Sequence, residues 1–547
     1  MFCDKTHINQ LTALLKGHGF QDIVVCPGSR NGILVHDFDA AQFRLHPVTD
    51  ERSAAFVALG LCLSTRHAVA VCVTSGSALL NTLPAVAEAS FRQIPILIIS
   101  ADRPQQWIGQ LDGQTLPQAN ALLPYAQSYN IAEAHTPEEE HWNLLRMNQA
   151  ILALRQHGGQ PVHLNIPITE PLFSFHTATL PDVPVVHEER QDTPCPFSDA
   201  LLQRISAARF PVMVIGQYEK GTLEGLEKIE RQGSLLILPE LISGQQGSWR
   251  TTALEHLLPE FDFTPDLVLH IGGNLVNKQL KLHLRRLSDC NVIRIEPTEE
   301  LPDTFGHLHT VVRTSPENAI RQLADTLTNE NREVKKYQEK LDSYRALGNH
   351  YAATSFSDLG IMQLLSQHLP EDVALQVGNS SVIRNAAYYF SSSTNHLFCN
   401  RGTNGIEGSL SAAVGYALGS QQLTVSLIGD LSFFYDQNAL WNKQLPGNLR
   451  ILLFNNGGGQ IFYHLPGLDQ TPALSPYIAA AHHTQAQGLA ESYGLSYLKA
   501  CNYKEVQLAL PQLLDPTSQR PVLLEVFTQT ENNEKELKSI KQYYKTK

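Results

Sequence analysis

The chain has 547 residues, of which 43% are apolar and 17% charged. Those proportions exclude a collagen-like repeat, a coiled coil and wholesale disorder, and at roughly 100–200 residues per domain they leave room for about three domains. With 41 Lys and Arg against 53 Asp and Glu, the net charge is −12, the wrong overall sign for a nucleic-acid binder.

The start, Met1-Phe2-Cys3-Asp4-Lys5-Thr6-His7, lacks the basic stretch and apolar run of a secretion signal. No segment reaches the ~18 consecutive apolar residues of a membrane span, so no integral membrane segment is expected. Eight cysteines occur without a CxxC pair, which points to reduced thiols in a cytoplasm rather than to a zinc site or a disulfide framework. Among 22 histidines only His482 and His483 adjoin, and ordinary surface or core roles are expected of most of them.

Short β-branched runs alternate with longer amphipathic stretches, the pattern of parallel sheets covered by helices. The expected class is α/β, with three parallel-sheet domains at 1–178, 195–345 and 355–547. In the first, strands are predicted at Asp22–Cys26, Leu45–Thr49, Ala68–Val73 and Ile94–Ile99. Turns lie at Pro27–Arg30 and Thr74–Ser77, and Glu51–Ser64 has helical spacing. A looser, Pro-containing stretch covers Pro171–Pro196. The second block has apolar runs at Pro211–Gly216, Ser234–Leu238, Leu267–Ile271 and Asn291–Ile295. The charged segment Asn329–Lys340 reads as a polar helix or linker. The third block has Val373–Val377, Leu423–Ile428, Arg450–Phe454 and Val522–Val526. The polar tail Thr530–Lys547 reads as a terminal helix or frayed end. The first and third blocks share a strand-helix rhythm without an evident residue repeat.

The strongest chemical signal is the pair Leu427-Ile-Gly429-Asp430 and Asn455-Asn456-Gly-Gly458-Gly-Gln460. Each follows an apolar strand, and in a parallel sheet both strand ends lie on one edge, where ligands bind. A carboxylate, an amide oxygen and bare backbone groups suit a hard divalent cation shared with a phosphate. Either motif alone would read as an ordinary βα turn; their pairing argues otherwise. Neither G-x-x-x-x-G-K-[ST] nor a G-x-G-x-x-G opening a helix after a strand is present, which weakens a P-loop or a simple dinucleotide site.

This combination resembles the thiamine-diphosphate (ThDP) enzymes, whose GD…N(N) motif holds a divalent cation, Mg²⁺ or Mn²⁺, against the cofactor's diphosphate. The resemblance implies Asp430, Asn456 and the backbone of Gly458 as metal ligands, although Leu431 stands where many members have Gly. It assigns Glu51, in Asp50-Glu-Arg-Ser-Ala-Ala55, to the cofactor's aminopyrimidine ring. A carboxyl group there favours the imino tautomer that removes the C2 proton. Within the family the chain resembles the menaquinone-pathway branch, which acts on 2-oxoglutarate and isochorismate. The segments that carry this are Val25–Arg30, Ser100–Pro104, Gly378–Ser381 with Arg384, Asn400–Ile406, Ile428–Ser432 and Asn455–Phe462. The resemblance covers essentially the whole chain.

Because both substrates are dianions, an Arg-rich site is expected. By resemblance, substrate and catalytic positions are Arg30, Arg103, Gln114, Lys278, Ser380, Arg384 and Arg401, with Phe462 and Leu465 as apolar contacts. Cofactor positions are Ser29, Glu51, Ser380, Arg401, Ile406, Gly429, Asp430, Leu431, Asn456, Gly458 and Ile461. Two neighbours depart from the branch's pattern: Gly113 replaces an Asn and Gln279 an Arg. The family also implies an obligate homodimer or tetramer with its site between the first domain of one subunit and the third of another. The nearest alternative is another ThDP-dependent 2-oxo acid decarboxylase or carboligase.

Overall fold

The computed structural model describes residues 1–189, 195–259, 262–390 and 396–546. Part of the Pro-containing stretch, 190–194, lies outside them. β-branched runs buried on both faces pair in parallel and form three separate sheets. From edge to edge the first is Arg44–Pro47, Asp22–Val25, Val69–Val73, Ile96–Asp102, Val162–Pro167 and Gln127–Asn130. The central sheet is Leu308–Val312, Asn291–Ile295, Leu267–Ile271, Pro211–Ile215 and Leu236–Pro239. The third is His396–Phe398, Ala374–Val377, Thr424–Gly429, Leu449–Asn455, Val522–Phe527 and Ser496–Ala500.

Counted along the chain within each sheet, the first and third have the same strand order, 2-1-3-4-6-5. Direction reverses between their first and third strands, and in such sheets ligands bind outside the strand C-termini at that switch point. The rhythm seen in the sequence is therefore a repeated topology.

The helix Glu51–Thr65 starts where Asp50 Oδ1 accepts the N–H groups of Arg52 and Ser53, and stops at Arg66 in a left-handed conformation. It crosses the helix Ser409–Gly419 of the third block at backbone contact. A Cβ on Gly60 would lie 2.0 Å from the Ala412 carbonyl oxygen, and one on Gly415 2.0 Å from that of Val57. Phe56, Val57 and Leu59 share one apolar core with Leu410, Ala413 and Val414.

The charged segment after residue 329 is not a free linker. Helix Arg332–His350 buries Val334, Tyr337 and Leu341 against the central block. The C-terminal helix Thr530–Thr546 buries Ile540 and Tyr544 there too, and Tyr544 stacks on Tyr344 with ring centroids 6.0 Å apart. Among the described residues no helix is long and apolar enough to cross a membrane.

Candidate active site

Asp430 follows the third strand of the third sheet and is 2% exposed. Its Oδ1 accepts the N–H of Leu431 at 2.6 Å, and its Oδ2 accepts those of Asn456, Gly457 and Gly458 at 3.1, 2.7 and 3.0 Å. The Gly-rich run is bent around this carboxylate, with Gly457 at φ +80 and Gly458 at φ +143. A Cβ on Gly458 would lie 2.7 Å from the Ala479 carbonyl oxygen, so other residues are excluded by both backbone and space. The Gly458 carbonyl accepts from Gln460 N at 3.0 Å.

Asn456 donates its Nδ2 to Asp358 Oδ2 at 2.9 Å, while its buried Oδ1 has no hydrogen-bond partner. Unpartnered buried acceptors are costly and call for a ligand. An orphaned amide oxygen, a carboxylate and flanking carbonyls fit a small hard divalent cation. Gly429 and Leu431 flank Asp430, and the Gly429 backbone ends the strand.

Glu51 follows the edge strand of the first sheet, on the first turn of its helix, and its Oε2 accepts from Asn81 Nδ2 at 3.1 Å. The helix start is docked on the third block. Arg52 donates to the Tyr435 carbonyl at 2.7 Å and stacks on its ring at 4.4 Å, while Asn438 Nδ2 donates to Asp50 Oδ2 at 2.7 Å. Among the described residues, no hydrogen bond or ion pair within the chain joins Glu51 to Asp430 or Asn456.

The other first-block positions lie in turns at the strand C-termini. Ser29 is exposed, and Arg30 is buried with Nη1 donating to the Ile168 carbonyl at 2.5 Å and Nη2 at 3.3 Å from Glu170. Arg103 donates to the Gly113 carbonyl at 2.9 Å and lies 3.2 Å from Asp112. The position that departs from the branch's pattern thus holds Arg103 through its backbone. Gln114, at φ +56, is exposed and its backbone crowds Gly76.

In the third block Ser380 caps the helix Ser381–Tyr389 with φ +69, a conformation that L side chains rarely adopt. Its carbonyl accepts from Arg384 Nη1 at 2.6 Å. Arg384 thus lies one turn into that helix. Arg401 is 9% exposed; among the described residues its Nη1 reaches Asn379 Oδ1, at 3.4 Å, and its Nε is buried without a partner. Neither arginine has a carboxylate within ion-pair distance among the described residues. Desolvation and the positive charge of Arg401 hold Arg384 below its ordinary pKa. Lys278 begins the helix Lys278–Arg286 of the central block and is exposed.

Ile406, 39% exposed, accepts from Ser432 Oγ through its carbonyl, and Ile461 and Phe462 lie half-buried on the short helix after the Gly run, with Leu465 exposed just beyond.

Three participants were not foreseen. His482 Nε2 lies 3.4 Å from Asp430 Oδ2, and that carboxylate raises the imidazole's pKa. Asp358 orients the Asn456 amide and is itself held by Thr528 Oγ1 at 2.5 Å. Glu240, 2% exposed, accepts Asn277 N at 3.0 Å at the start of the Lys278 helix, and burial pushes its carboxyl up to about 7. Only the adjacent histidines offered a sequence signal; the two acids lie far along the chain from the groups they serve.

Residues 6–122 match the family model for the N-terminal TPP binding domain of thiamine pyrophosphate enzymes, and residues 376–526 match that for the C-terminal TPP binding domain. Paired parallel sheets with these turns define a thiamine pyrophosphate (ThDP) enzyme. The chain is 40% identical, over 100% of its length and 99% of the relative's, to the 2-succinyl-5-enolpyruvyl-6-hydroxy-3-cyclohexene-1-carboxylate synthase of Phocaeicola vulgatus. It is 39% identical to that of Bacteroides thetaiotaomicron over 100% and 99%, and 33% identical to that of Desulfotalea psychrophila over 96% and 98%. The chain belongs to the family of these synthases.

Proposed function

We propose that the chain joins a succinyl unit from 2-oxoglutarate to isochorismate with loss of CO₂, giving the product in its relatives' name. The observation that carries this is the buried Arg401 beside Arg384, two guanidiniums that form no ion pair among the described residues, on the same sheet edge as a cation-fitting Asp430–Asn456 turn. Bound there, ThDP supplies the electron sink for decarboxylation and the carbon nucleophile for the new bond.

Asp430, Asn456 Oδ1 and the Gly458 carbonyl hold Mg²⁺ or Mn²⁺ against the diphosphate. Glu51, oriented by Asn81, holds a proton at the aminopyrimidine ring. Ile406 would pack against the bound cofactor. Ser29, Gly429, Leu431 and Ile461 line its binding groove. Arg30, Arg103, Arg384, Arg401 and Lys278 clamp substrate carboxylates, with Ser380 and Gln114 as polar partners near the reacting carbon. Phe462 and Leu465 cover the ring of the acceptor and exclude water. The protein contributes orientation and fixed charge more than acid–base groups.

Activity requires a homo-oligomer, a reading drawn from the family resemblance and in keeping with the lack, among the described residues, of a hydrogen bond or ion pair from Glu51 to Asp430 or Asn456 of its own chain. Mixing inactive Glu51→Gln and Asp430→Ala proteins restores activity if the site lies between subunits, and leaves none if it does not. The working place is the cytoplasm, in keeping with eight cysteines, all free thiols.

The function is tested by following isochorismate with ThDP and Mg²⁺, with and without 2-oxoglutarate. Consumption that needs both ThDP and 2-oxoglutarate is expected. Release of CO₂ with isochorismate untouched overturns the assignment in favour of a decarboxylase.

A further inference from the structure

Arg401 sits in an irregular segment between a three-residue strand and a helix. Nothing regular fixes its backbone, yet that segment is held at nearly every residue. Gln217 Nε2 donates to the Cys399 carbonyl at 2.9 Å, Asn379 Nδ2 to that of Asn400 at 2.6 Å, and Asn274 Nδ2 to those of Arg401 and Gly402 at 2.5 and 3.0 Å.

The remaining donors converge on one carboxylate from the first block. Glu88 Oε1 accepts Gly402 N at 2.9 Å, and Oε2 accepts Thr403 N at 2.7 Å and Thr403 Oγ1 at 2.8 Å. Glu88 is 1% exposed. Arg92, one turn along the same helix, lies 3.5 Å from Glu88, donates to Asn400 Oδ1 at 2.6 Å, and donates through Nε to Glu219 of the central block at 3.0 Å. A Cβ on Gly402 would lie 2.8 Å from the Glu88 carbonyl oxygen, so the approach is as close as backbone allows.

Buried ion pairs add little net stability compared with apolar packing, and their best-attested use is to specify one arrangement. Here that arrangement is the direction of a guanidinium that forms no ion pair among the described residues. We propose that Glu88, set by Arg92, is a positioning residue for Arg401: it fixes the Gly402–Thr403 backbone and so aims the guanidinium at a substrate carboxylate. This rests on the substrate role given to Arg401 above. The three blocks meet at this cluster, so the central block contributes to substrate affinity through Glu219, Gln217 and Asn274 without touching substrate.

The test is a double-mutant cycle read in KM for each substrate, with ThDP–Mg²⁺ affinity measured by calorimetry. Arg401→Ala should raise one substrate's KM roughly tenfold or more. Glu88→Gln should raise the same KM by about tenfold in the native background, with ThDP–Mg²⁺ affinity unchanged, and should add nothing in the Arg401→Ala background. Multiplying effects, or an unchanged KM in Glu88→Gln, overturn the inference. If Glu88→Gln does not fold, Thr403→Val removes only one of the three bonds and should show the same coupling at roughly threefold; lack of coupling there is equally decisive. If Arg401→Ala alone leaves every KM unchanged, the substrate assignment of Arg401 fails instead.

Discussion

The first and third sheets have one strand order and differently built crevices. In the third, the crevice at the switch point is lined by Ser380 on one side and Asp430 on the other, with a buried unpartnered amide oxygen beside them. In the first, the floor of the same crevice is close-packed: a Cβ on Gly28 would lie 2.4 Å from Thr74 Cβ and 2.5 Å from Asn31 Oδ1, and Asn31 is fully buried, with Nδ2 bonded to the Cys26 carbonyl at 2.8 Å and Oδ1 unpartnered, while Ser29 stays exposed at its rim. The first sheet's acid, Glu51, sits instead beyond an edge strand, on the helix that meets the third block. Topology therefore offers a place for a site, and the side chains at the turns decide whether it is one.

Four experiments sharpen or break this contrast. Glu51→Gln should lower kcat by about 10²–10⁴-fold while leaving ThDP–Mg²⁺ affinity near that of the native enzyme; full turnover would remove Glu51 from the chemistry. Asp430→Ala should weaken Mg²⁺-dependent ThDP binding by about 100-fold or more, as loss of a charged metal ligand demands. Unchanged Mg²⁺ dependence in calorimetry would break the contrast from the other side. Gly60→Val, at the helix crossing, should cost about 3 kcal/mol by overpacking, seen as a lower Tm; an unaltered Tm would mean that the two blocks do not rely on that contact.

The smallest effect concerns pH. His163, in the first sheet, is fully buried between Ser100 and Ser128, and burial lowers its pKa from 6.5 to about 3. The unfolded chain binds that proton first, so stability is fully present above 6.5 and falls by about 1.4 kcal/mol per pH unit as pH drops toward 3. Asp436, in the third block, has the opposite sign: burial raises it from 3.8 to about 6, so its contribution falls as pH rises through that interval. Urea unfolding against pH should show His163→Gln flattening the acid slope and Asp436→Asn removing the decline between 3.8 and 6. Parallel curves for the variants and the native chain would contradict both assignments.

Interior strands were legible because they are uninterrupted apolar runs. Gln127–Asn130, Leu308–Val312, His396–Phe398 and Ser496–Ala500 were not predicted, and all four are sheet edges. Edge strands face solvent and keep polar residues, so they resemble loops in sequence. Val162–Pro167 is interior, but His163 and Asn165 break its run; both are buried in a hydrogen-bonded group with Ser100 and Gln118. In the candidate site, Glu51, by itself an ordinary acid at a helix start, was reached through the family resemblance, whereas Asp430 and Asn456 stood out because each follows an apolar strand end. Asp358 and Glu88 did not, since their partners lie 98 and 314 residues away, and no local pattern encodes such pairings.

The crossing of Glu51–Thr65 with Ser409–Gly419 also bears on how the chain comes apart. The two sheets that share a core are first and last in the chain, with the central sheet spliced between them. Their shared core couples the two ends, which should open together, and the third block is tied to the central one as well through Leu241, Ile242 and Val276. A protease cut within Leu172–Thr177, the segment that pairs with Phe2 and Asp4, should leave two fragments that travel together on a sizing column, gripped helix to helix as well as by that pairing.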